Sequence, residues 1–233
     1  MSGATEFAIR AVDLTRTFEV GETTVEALRG VSLEVPRGQF MALVGPSGSG
    51  KSTFLNLVGG LDRPTGGELW VDGVELSASK EKALTEHRRM RVGFVLQSFN
   101  LLPRLTAVEN VALPLMFSGV SQRARLAQAE ELLVRVGLAD RLAHRPTQLS
   151  GGEQQRVAIA RALVAQPTII LADEPTGNID SATGAEIMAL LRGLNRDQGV
   201  TLLLVTHDPE AASFADRVVL LRDGQIAPEG ERP

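Results

Sequence analysis

Short apolar runs separated by polar segments are the main pattern along the chain. Four of them, Phe40–Val44, Val92–Leu96, residues 169–172 and residues 200–205, contain almost only apolar side chains. Runs of this length are typical of strands buried on both faces, whereas helices need longer periodic segments. Because polar or amphipathic segments lie between these runs, the pattern predicts an α/β fold.

Further strands are predicted near both ends of the chain. Residues 7–14 alternate loosely between apolar and polar side chains, and residues 25–35 place three apolar side chains on one face. The Asp-Gly pairs at 72–73 and 223–224 each lie between apolar runs, which is typical of hairpin turns. Phe18 falls between the two N-terminal strands, in a polar segment that predicts a loop.

An all-helical stretch is predicted between the second and third buried runs. Thr106 and Glu109 fit a capping box at the start of a helix over residues 107–117. A second helix over residues 121–136 carries its leucines on one face and ends at a glycine. The stretch is interpreted as a helical subdomain inserted between strands. The basic cluster at residues 87–91, which ends a charged helix, is most simply a solvated face.

Composition limits the classes of protein to which this chain can belong. It has 233 residues, of which 43% are hydrophobic, enough for one domain with a sizeable core. With 24 basic and 28 acidic residues the net charge is −4, and nothing in this balance points to a nucleic-acid partner. The chain contains no cysteine, which excludes disulfides and cysteine-ligated zinc and fits a reducing compartment.

Neither a signal peptide nor a membrane span is predicted. The N-terminus lacks the apolar core of a signal peptide, and no apolar run approaches the roughly 20 residues that a membrane span needs. We therefore expect a soluble cytoplasmic chain with no direct membrane insertion, so that any role at a membrane depends on a partner.

The segment GPSGSGKST at residues 45–53 matches the phosphate-binding pattern G-x-x-x-x-G-K-[ST] and follows a predicted buried strand. Glycines let backbone N–H groups turn towards a triphosphate, and the helix that follows presents its positive end to the same anion. Lys51 reaches the β- and γ-phosphates, and the Ser52 hydroxyl is a ligand for Mg²⁺. A plain glycine-rich turn is the alternative. The residues expected to bind the nucleotide here are Gly45, Pro46, Ser47, Gly48, Ser49, Gly50, Lys51, Ser52 and Thr53.

Polar side chains follow the other three buried runs, at the edge where open α/β folds bind ligands. Asp173 is expected to hold Mg²⁺ through its water shell, and Glu174 to polarise the attacking water as general base. The Gln97 amide can ligate Mg²⁺ or orient water, and His207 can donate to the γ-phosphate or position water. Taken alone, Gln97 is more simply an exposed loop residue and His207 a structural histidine. The catalytic candidates are Glu174, His207, Gln97 and Lys51.

Residues 149–153, with the sequence LSGGE, begin another predicted helix. A capping box explains Ser150 and Glu153, but it does not explain Gly151 and Gly152, because a glycine in a helix costs up to about 1 kcal/mol relative to alanine. Glycines suit a ligand that approaches the helix N-terminus closely. Since the phosphate loop already supplies one anion site, the economical interpretation is that the Ser-Gly-Gly segment faces a nucleotide bound to another subunit.

Taken together and in this order, these motifs resemble those of the ATP-binding-cassette (ABC) ATPases. The resemblance covers essentially the whole chain and includes NID at residues 178–180. It implies a P-loop NTPase (RecA-like) core with an N-terminal antiparallel β subdomain and an inserted all-α signature subdomain. The expected division of this single domain is the β subdomain with the first part of the core at 1–98, the helical subdomain at 99–165 and the second part of the core at 166–233.

The resemblance also implies the cofactors and the assembly. ATP is expected together with Mg²⁺, whose ligands are Ser52, Gln97 and Asp173. Two subunits meet head to tail and enclose two ATP molecules, each between the phosphate loop of one subunit and the LSGGE segment of the other. Asp180 joins the nucleotide-binding residues. Phe18 stands where many members have a tyrosine that stacks on adenine, although its ring tucked under the sheet is the plainer alternative.

A finer resemblance, carried by residues 94–115, residues 173–180 and the short C-terminus, is to the branch with the lipoprotein-releasing and macrolide-export ATPases. It implies a homodimer that hydrolyses ATP beneath integral-membrane permease subunits, on the cytoplasmic face of the membrane, to power export or extraction. Residues 99–102 are the predicted partner contact, with packing against the helical subdomain as the alternative.

Two other classes of protein fit the sequence less well. A soluble ABC ATPase acting on nucleic acid or ribosomes usually brings long coiled coils or tandem cassettes, and this chain has neither. A small P-loop kinase does not account for the LSGGE segment.

Overall fold

The structure, a computed structural model, describes residues 6–21 and 23–228, which form two β-sheets with helices around them. The strands are β1 (Phe7–Val20), β2 (Thr23–Pro36), β3 (Phe40–Val44), β4 (Gly66–Val71), β5 (Val74–Glu75), β6 (Val92–Leu96), β7 (Ile169–Asp173), β8 (Thr201–Thr206), β9 (Arg217–Arg222) and β10 (Gln225–Ile226). The helices are α1 (Lys51–Val58), α2 (Glu81–Met90), α3 (Ala107–Met116), α4 (Gln122–Arg135), α5 (Gly151–Leu163), α6 (Ser181–Gln198) and α7 (Pro209–Ala212).

The larger sheet has the strand order β10-β9-β3-β8-β7-β6, and its neighbours are parallel except in the β9–β10 hairpin. Its registers align the strand ends, because Val44 lies beside Thr206 and Asp173 lies between Leu96 and Val205. The residues that follow β3, β6, β7 and β8 therefore meet at one edge of the sheet. The predicted α/β fold is confirmed.

Strand β3 is buried along its whole length, and its two faces belong to different cores. Met41 and Leu43 pack with α1 and the smaller sheet, whereas Phe40, Ala42 and Val44 pack with α5 and α6. This is the period-two alternation of a strand. A continuous apolar run suits it because both faces are covered, and a fully buried large side chain contributes about 1.5–3 kcal/mol.

The smaller sheet is antiparallel with the order β2-β1-β4-β5, and the predicted loop around Phe18 is wrong. Strand β1 continues through this residue, which pairs with Val25 of β2. The pairing register shifts on both sides of Leu14 and again after Arg16. After such an irregularity, the next side chains point to the opposite face of the sheet from the one that regular alternation would give them. The alternation that marks a strand is therefore lost from the sequence although the pairing continues.

Helices α3, α4 and α5 enclose a third core, in which Val111, Leu133 and Val157 are fully buried. The capping box predicted for α3 is confirmed, since the Thr106 side chain accepts a hydrogen bond from the Glu109 N–H and the Glu109 carboxylate accepts one in return. A helical unit thus lies between β6 and β7, while its exact boundaries remain a prediction. None of the helices in the described part of the chain is long and apolar enough to cross a membrane.

The solvated face predicted at residues 87–91 is wrong at its first residue. His87 is only 2% exposed, and its Nε2 donates to the carbonyl oxygen of Val58 at 3.0 Å. Together with Leu84, three residues earlier, it forms the buried side of α2. Burial lowers the pKa of His87, which favours the neutral ring. Because histidine is a polar residue, its burial at a core position of a short charged helix cannot be recognised from the hydrophobic pattern of the sequence.

Candidate nucleotide-binding and hydrolysis site

The phosphate loop leaves the end of β3 and enters α1 at Lys51, as predicted. Gly50 is the N-cap residue of α1 and has a left-handed conformation with φ 104°. A Cβ at Gly50 would overlap the carbonyl oxygen of Ala27 in β2, and a Cβ at Gly45 would overlap that of Leu221 in β9. The loop backbone runs so close to these two strands that only glycine, which has no Cβ, fits at the two positions.

Lys51 lies almost fully buried beneath the loop. Its Nζ donates to the carbonyl oxygens of Gly45 and Pro46, both at 2.8 Å. Burial lowers the pKa of Lys51, while the charges of Glu174 and Asp173 act in the opposite direction. The first turn of α1 has no acidic side chain, and no side chain caps its N-terminus. The helix end and the ammonium group together form a surface for an anion.

Ser52 and Asp173 come from different elements and meet at the edge of the sheet. The Ser52 Oγ donates to Asp173 Oδ1 at 3.4 Å. Burial raises the pKa of Asp173; the Ser52 hydrogen bond and the charge of Lys51 oppose this shift, and Glu174 adds to it. Hydroxyl and carboxylate oxygens are ligands that Mg²⁺ prefers, with phosphates and water completing its coordination in nucleotide sites. The chemistry of this pair fits Mg²⁺.

Glu174 directly follows β7 and has a left-handed conformation with φ 46°. Its carboxylate reaches the end of β8, where it accepts three hydrogen bonds. Thr206 Oγ1 donates to Oε2 at 3.0 Å, and the backbone N–H and ring Nδ1 of His207 donate to Oε1 at 3.0 and 2.7 Å. A positive φ is rare for a residue with a side chain, and such residues cluster at active sites. The hydrogen bond from the His207 ring to the Glu174 carboxylate brings these two side chains into direct contact. Their sequence spacing did not predict this contact.

Gln97 follows β6 and contacts the segment after Glu174. Its backbone carbonyl accepts from Asn178 Nδ2 at 2.8 Å, and its side-chain Nε2 donates to Asn178 Oδ1 at 3.5 Å. A Cβ at Gly177 would come within 2.7 Å of the Gln97 Nε2. The glutamine side chain therefore lies across the segment that connects β7 to α6, beside the predicted catalytic carboxylate.

These groups line one open cleft of about 790 Å³, a volume within the usual range of small-molecule sites. The predicted residues on its wall are Pro46, Ser47, Gly48, Gly50, Lys51, Ser52, Thr53, Gln97, Asp173, Glu174 and His207. The predicted residues that do not line it are Phe18, Gly45, Ser49, Ser150, Gly151, Gly152 and Asp180.

Strand β2 contributes three wall residues that the sequence did not reveal: Val25, Glu26 and Ala27. Val25 is 49% exposed although it is apolar. In the sequence it looks like the first core residue of a strand, and only the fold places it at the mouth of the cleft.

Phe18 lies next to the cleft, paired with Val25 across the β1–β2 ribbon. The guanidinium of Arg16 sits over one face of its ring, 4.3 Å from the centroid. Arg16 is held in turn by Asp62 at 2.8 Å. One face of the ring is thus occupied by a cation–π contact, and the ring has a fixed orientation beside the wall residue Val25.

The start of α5 has the predicted capping box, with the Ser150 side chain accepting from the Glu153 N–H. A Cβ at Gly152, however, would overlap the methyl group of Thr183 in α6. Close packing between the helices is therefore enough to explain Gly152 without a ligand, and the nucleotide contact expected at this glycine stays a prediction. Asp180 caps α6 by accepting from the Thr183 N–H at 3.0 Å.

A family model described as "ABC transporter" matches residues 28–177, which is more than half of the chain. The chain belongs to the ABC transporter family. The matched region runs from β2 through the phosphate loop and the LSGGE segment to the residues after Glu174. The chain is thus an ATP-binding ABC ATPase of the transporter type, and the predicted family and enzyme class are confirmed.

Individual ABC proteins resemble the chain over nearly its whole length. An uncharacterised ABC transporter ATP-binding protein of Thermotoga maritima is 54% identical over 215 residues, covering 92% of both chains. The lipoprotein-releasing system ATP-binding protein LolD of Geobacter metallireducens is 49% identical, covering 94% of this chain and 97% of LolD. The macrolide export ATP-binding/permease protein MacB of Syntrophobacter fumaroxidans is 51% identical, but this chain covers only 31% of it. These relatives confirm the predicted branch.

The ABC cassette MJ0796, a protein of Methanocaldococcus jannaschii, supplies a solved structure for comparison. It is 47% identical, with a TM-score of 0.87, and the match covers 94% of this chain and 97% of that one. That structure is described as a dimeric post-hydrolysis state bound to ADP and Pi. The similarity confirms the P-loop cassette fold predicted from the motifs.

Proposed function

We propose that this ABC ATPase binds ATP with Mg²⁺ in the 790 Å³ cleft, and that Glu174 is the general base for its hydrolysis. The observation that carries the proposal is the position of the Glu174 carboxylate. It is fixed by Thr206 and His207 at one end of a cleft whose other walls are Lys51 and Asp173. Acidic, cationic and amide side chains from four separate segments of the chain thus line one cleft.

Each group has a role that follows from its position. The amides at the start of α1 and the Lys51 ammonium bind the β- and γ-phosphates. Ser52, Asp173 and Gln97 would hold Mg²⁺, which when bound neutralises charge on the phosphate oxygens. Glu174 accepts a proton from the attacking water as the water oxygen bonds to the γ-phosphorus and the bond to ADP breaks. His207 keeps the carboxylate oriented for this step.

The exposed start of α5 supports a head-to-tail homodimer. Ser150 and Asp180 are exposed helix caps outside the cleft of their own chain. The dimeric state of MJ0796, at 47% identity, supports a second copy as the partner. In the proposed dimer, the segment from Ser150 to Gly152 contacts the nucleotide held by the phosphate loop of the other subunit, and Asp180 lies beside it. Phe18 stacks on adenine with the ring face that Arg16 does not cover.

The proposed contact with integral-membrane permease subunits is a second groove of about 660 Å³ between α2, β6, α3 and α5. Its described lining residues include apolar groups and three arginines but no carboxylate. Phe117, on its wall, is 72% exposed, and exposed apolar patches of this kind mark interaction sites. In the predicted contact at 99–102, Leu102 is exposed, but Leu101 packs against the helical core. Bound to such subunits, the chain works at the cytoplasmic face of the membrane.

The test of the catalytic assignment is Glu174→Gln, since an amide cannot accept the proton from water. We expect kcat to fall by about 10²- to 10⁴-fold, the usual contribution of a general base, while ATP binding is retained and an ATP-stabilised dimer accumulates. Glu130→Gln, at an exposed position on α4, is the matched control and should turn over normally. Steady-state ATPase near the wild-type rate in Glu174→Gln would refute the assignment.

A further inference from the structure

Arg161 lies near the C-terminal end of α5, the helix that begins at the LSGGE segment. Its guanidinium donates to two consecutive backbone carbonyls, from Nη1 to Asn100 at 2.5 Å and from Nη2 to Phe99 at 2.7 Å. Burial lowers the pKa of Arg161, and no carboxylate in the described part of the chain contributes to that shift. The cation is therefore directed at the main chain of this one turn.

The turn that Arg161 holds is strained. Phe99 and Asn100 both have left-handed conformations, with φ 55° and 49°. Two successive left-handed residues with side chains are unfavourable and persist only where the surroundings determine them. A planar guanidinium, with two N–H groups in a fixed fork, can bind two adjacent carbonyl oxygens at once, which a lysine cannot do.

The strained residues Phe99 and Asn100 follow Gln97 with only Ser98 between them. The Phe99 N–H donates back to the Leu96 carbonyl at 3.1 Å, so Gln97 and Ser98 are the central residues of the turn that leads to Phe99. On its other side, Asn178 donates to the Gln97 carbonyl at 2.8 Å. Asn178 thus holds the Gln97 backbone on one side, Arg161 holds the two residues after Ser98 on the other, and Gln97 lines the nucleotide cleft.

We propose that Arg161 is a positioning residue for ATP hydrolysis, which fixes the turn at Phe99 and Asn100 so that Gln97 faces the cleft. This inference rests on the proposed role of Gln97 toward Mg²⁺ and water. It gives α5 two tasks: its N-terminus meets the nucleotide of the other subunit, and its C-terminal half supports a catalytic side chain of its own subunit.

The test compares Arg161→Met and Arg161→Lys with the control Arg156→Met on the same helix. Arg156 also donates to a backbone carbonyl, that of Val136 at 3.2 Å, and pairs with Glu186 at 2.8 Å, but it does not contact the Gln97 turn. Arg161→Met should lower kcat by about 10-fold or more, as is usual when support for a metal ligand is lost, with little change in the Kd for a fluorescent ATP analogue. Arg161→Lys should be intermediate, and Arg156→Met should keep its kcat.

A double-mutant cycle with Gln97→Ala separates positioning from general destabilisation. If Arg161 acts through Gln97, then Arg161→Met should cause little further loss of kcat in the Gln97→Ala background. Amide hydrogen exchange over residues 98–102 should also become faster in Arg161→Met and stay unchanged in Arg156→Met. If Arg161→Met does not fold, Arg161→Lys replaces it in both measurements.

The outcomes distinguish this inference from the function on which it rests. Wild-type kcat in Arg161→Met together with a defective Gln97→Ala would overturn the inference alone. So would equal losses from Arg161→Met with and without Gln97, or unchanged exchange in the turn. Normal turnover of Gln97→Ala would remove the proposed role of Gln97 and the inference with it, while leaving the assignment of Glu174 in place.

Discussion

The contact between Gly152 and Thr183 leads to a prediction about stability rather than catalysis. Replacing Gly152 by alanine adds a methyl group where the Thr183 methyl already lies. The added Cβ would lie 2.3 Å from the Thr183 methyl carbon, so one of the two groups must shift. Thr183→Ser removes the opposing methyl but keeps the hydroxyl and the backbone N–H that donates to Asp180.

The expected size of the effect follows from two opposing contributions. Overpacking a close contact costs about 1–3 kcal/mol, whereas alanine favours the helix by up to about 1 kcal/mol relative to glycine. The two contributions together give a net destabilisation of Gly152→Ala of about 0–3 kcal/mol, with a central value of about 1.5 kcal/mol. For a domain of this size the central value corresponds to a Tm lower by about 3–6 °C.

Thermal unfolding of four variants tests this argument. Gly152→Ala should unfold below wild type, and Gly152→Ala with Thr183→Ser should return close to Thr183→Ser alone. Gly193→Ala is the control, because a Cβ at this position in α6 would meet open space, so its Tm should not fall. If Gly152→Ala were as stable as wild type, or if Thr183→Ser gave no rescue, the packing explanation would be wrong. ATP-driven dimerisation of the rescued double variant would then report on the nucleotide contact separately from folding.

Two further predictions concern the charge state of the core and the partner surface. Because the folded-state pKa of His87 is lowered, its neutral form should stabilise the fold fully above its ordinary pKa near 6.5; as pH falls below that value, this stability should decline by at most about 1.4 kcal/mol per pH unit. Urea unfolding at several pH values should show a smaller decline in His87→Gln. Leu102→Ser with Phe117→Ser should weaken co-purification with the proposed permease subunits from detergent-solubilised membranes and leave ATP binding intact. Val134 is exposed outside the groove, so Val134→Ser should not weaken this co-purification. If the Leu102/Phe117 double variant co-purified as well as Val134→Ser, the contact would lie elsewhere.

The parts of the site that the sequence predicted well are those fixed by strand ends. An apolar run buried on both faces leaves little freedom in where the strand ends, so Gln97, Glu174 and His207 were expected at one edge of the sheet, and the fold places them there. The phosphate loop was equally easy to predict from the sequence, because its glycines and Lys51 form one local structure that depends little on the rest of the chain.

The parts that the sequence did not predict depend on contacts between distant segments. Phe18 lies in a strand whose alternation is broken by register shifts, and His87 is buried by the end of α1. Gly152 seemed to need a ligand because the neighbouring helix α6 was not visible as its packing partner. Arg161 gave no signal at all, since an arginine on a helix becomes informative only when the carbonyls it binds are known.

The alignment of the strand ends in the larger sheet also determines where such a chain can gain or lose residues. Pairing with β6 and β8 fixes Asp173 along the direction of β7. One residue inserted within β7 would move the following carboxylates by about 3.3 Å and turn them to the opposite face. An insertion in the exposed connection at 117–121 would change neither strand. Variation in length among related chains should therefore collect in the surface connections, while the strands that lead to the cleft keep a constant length.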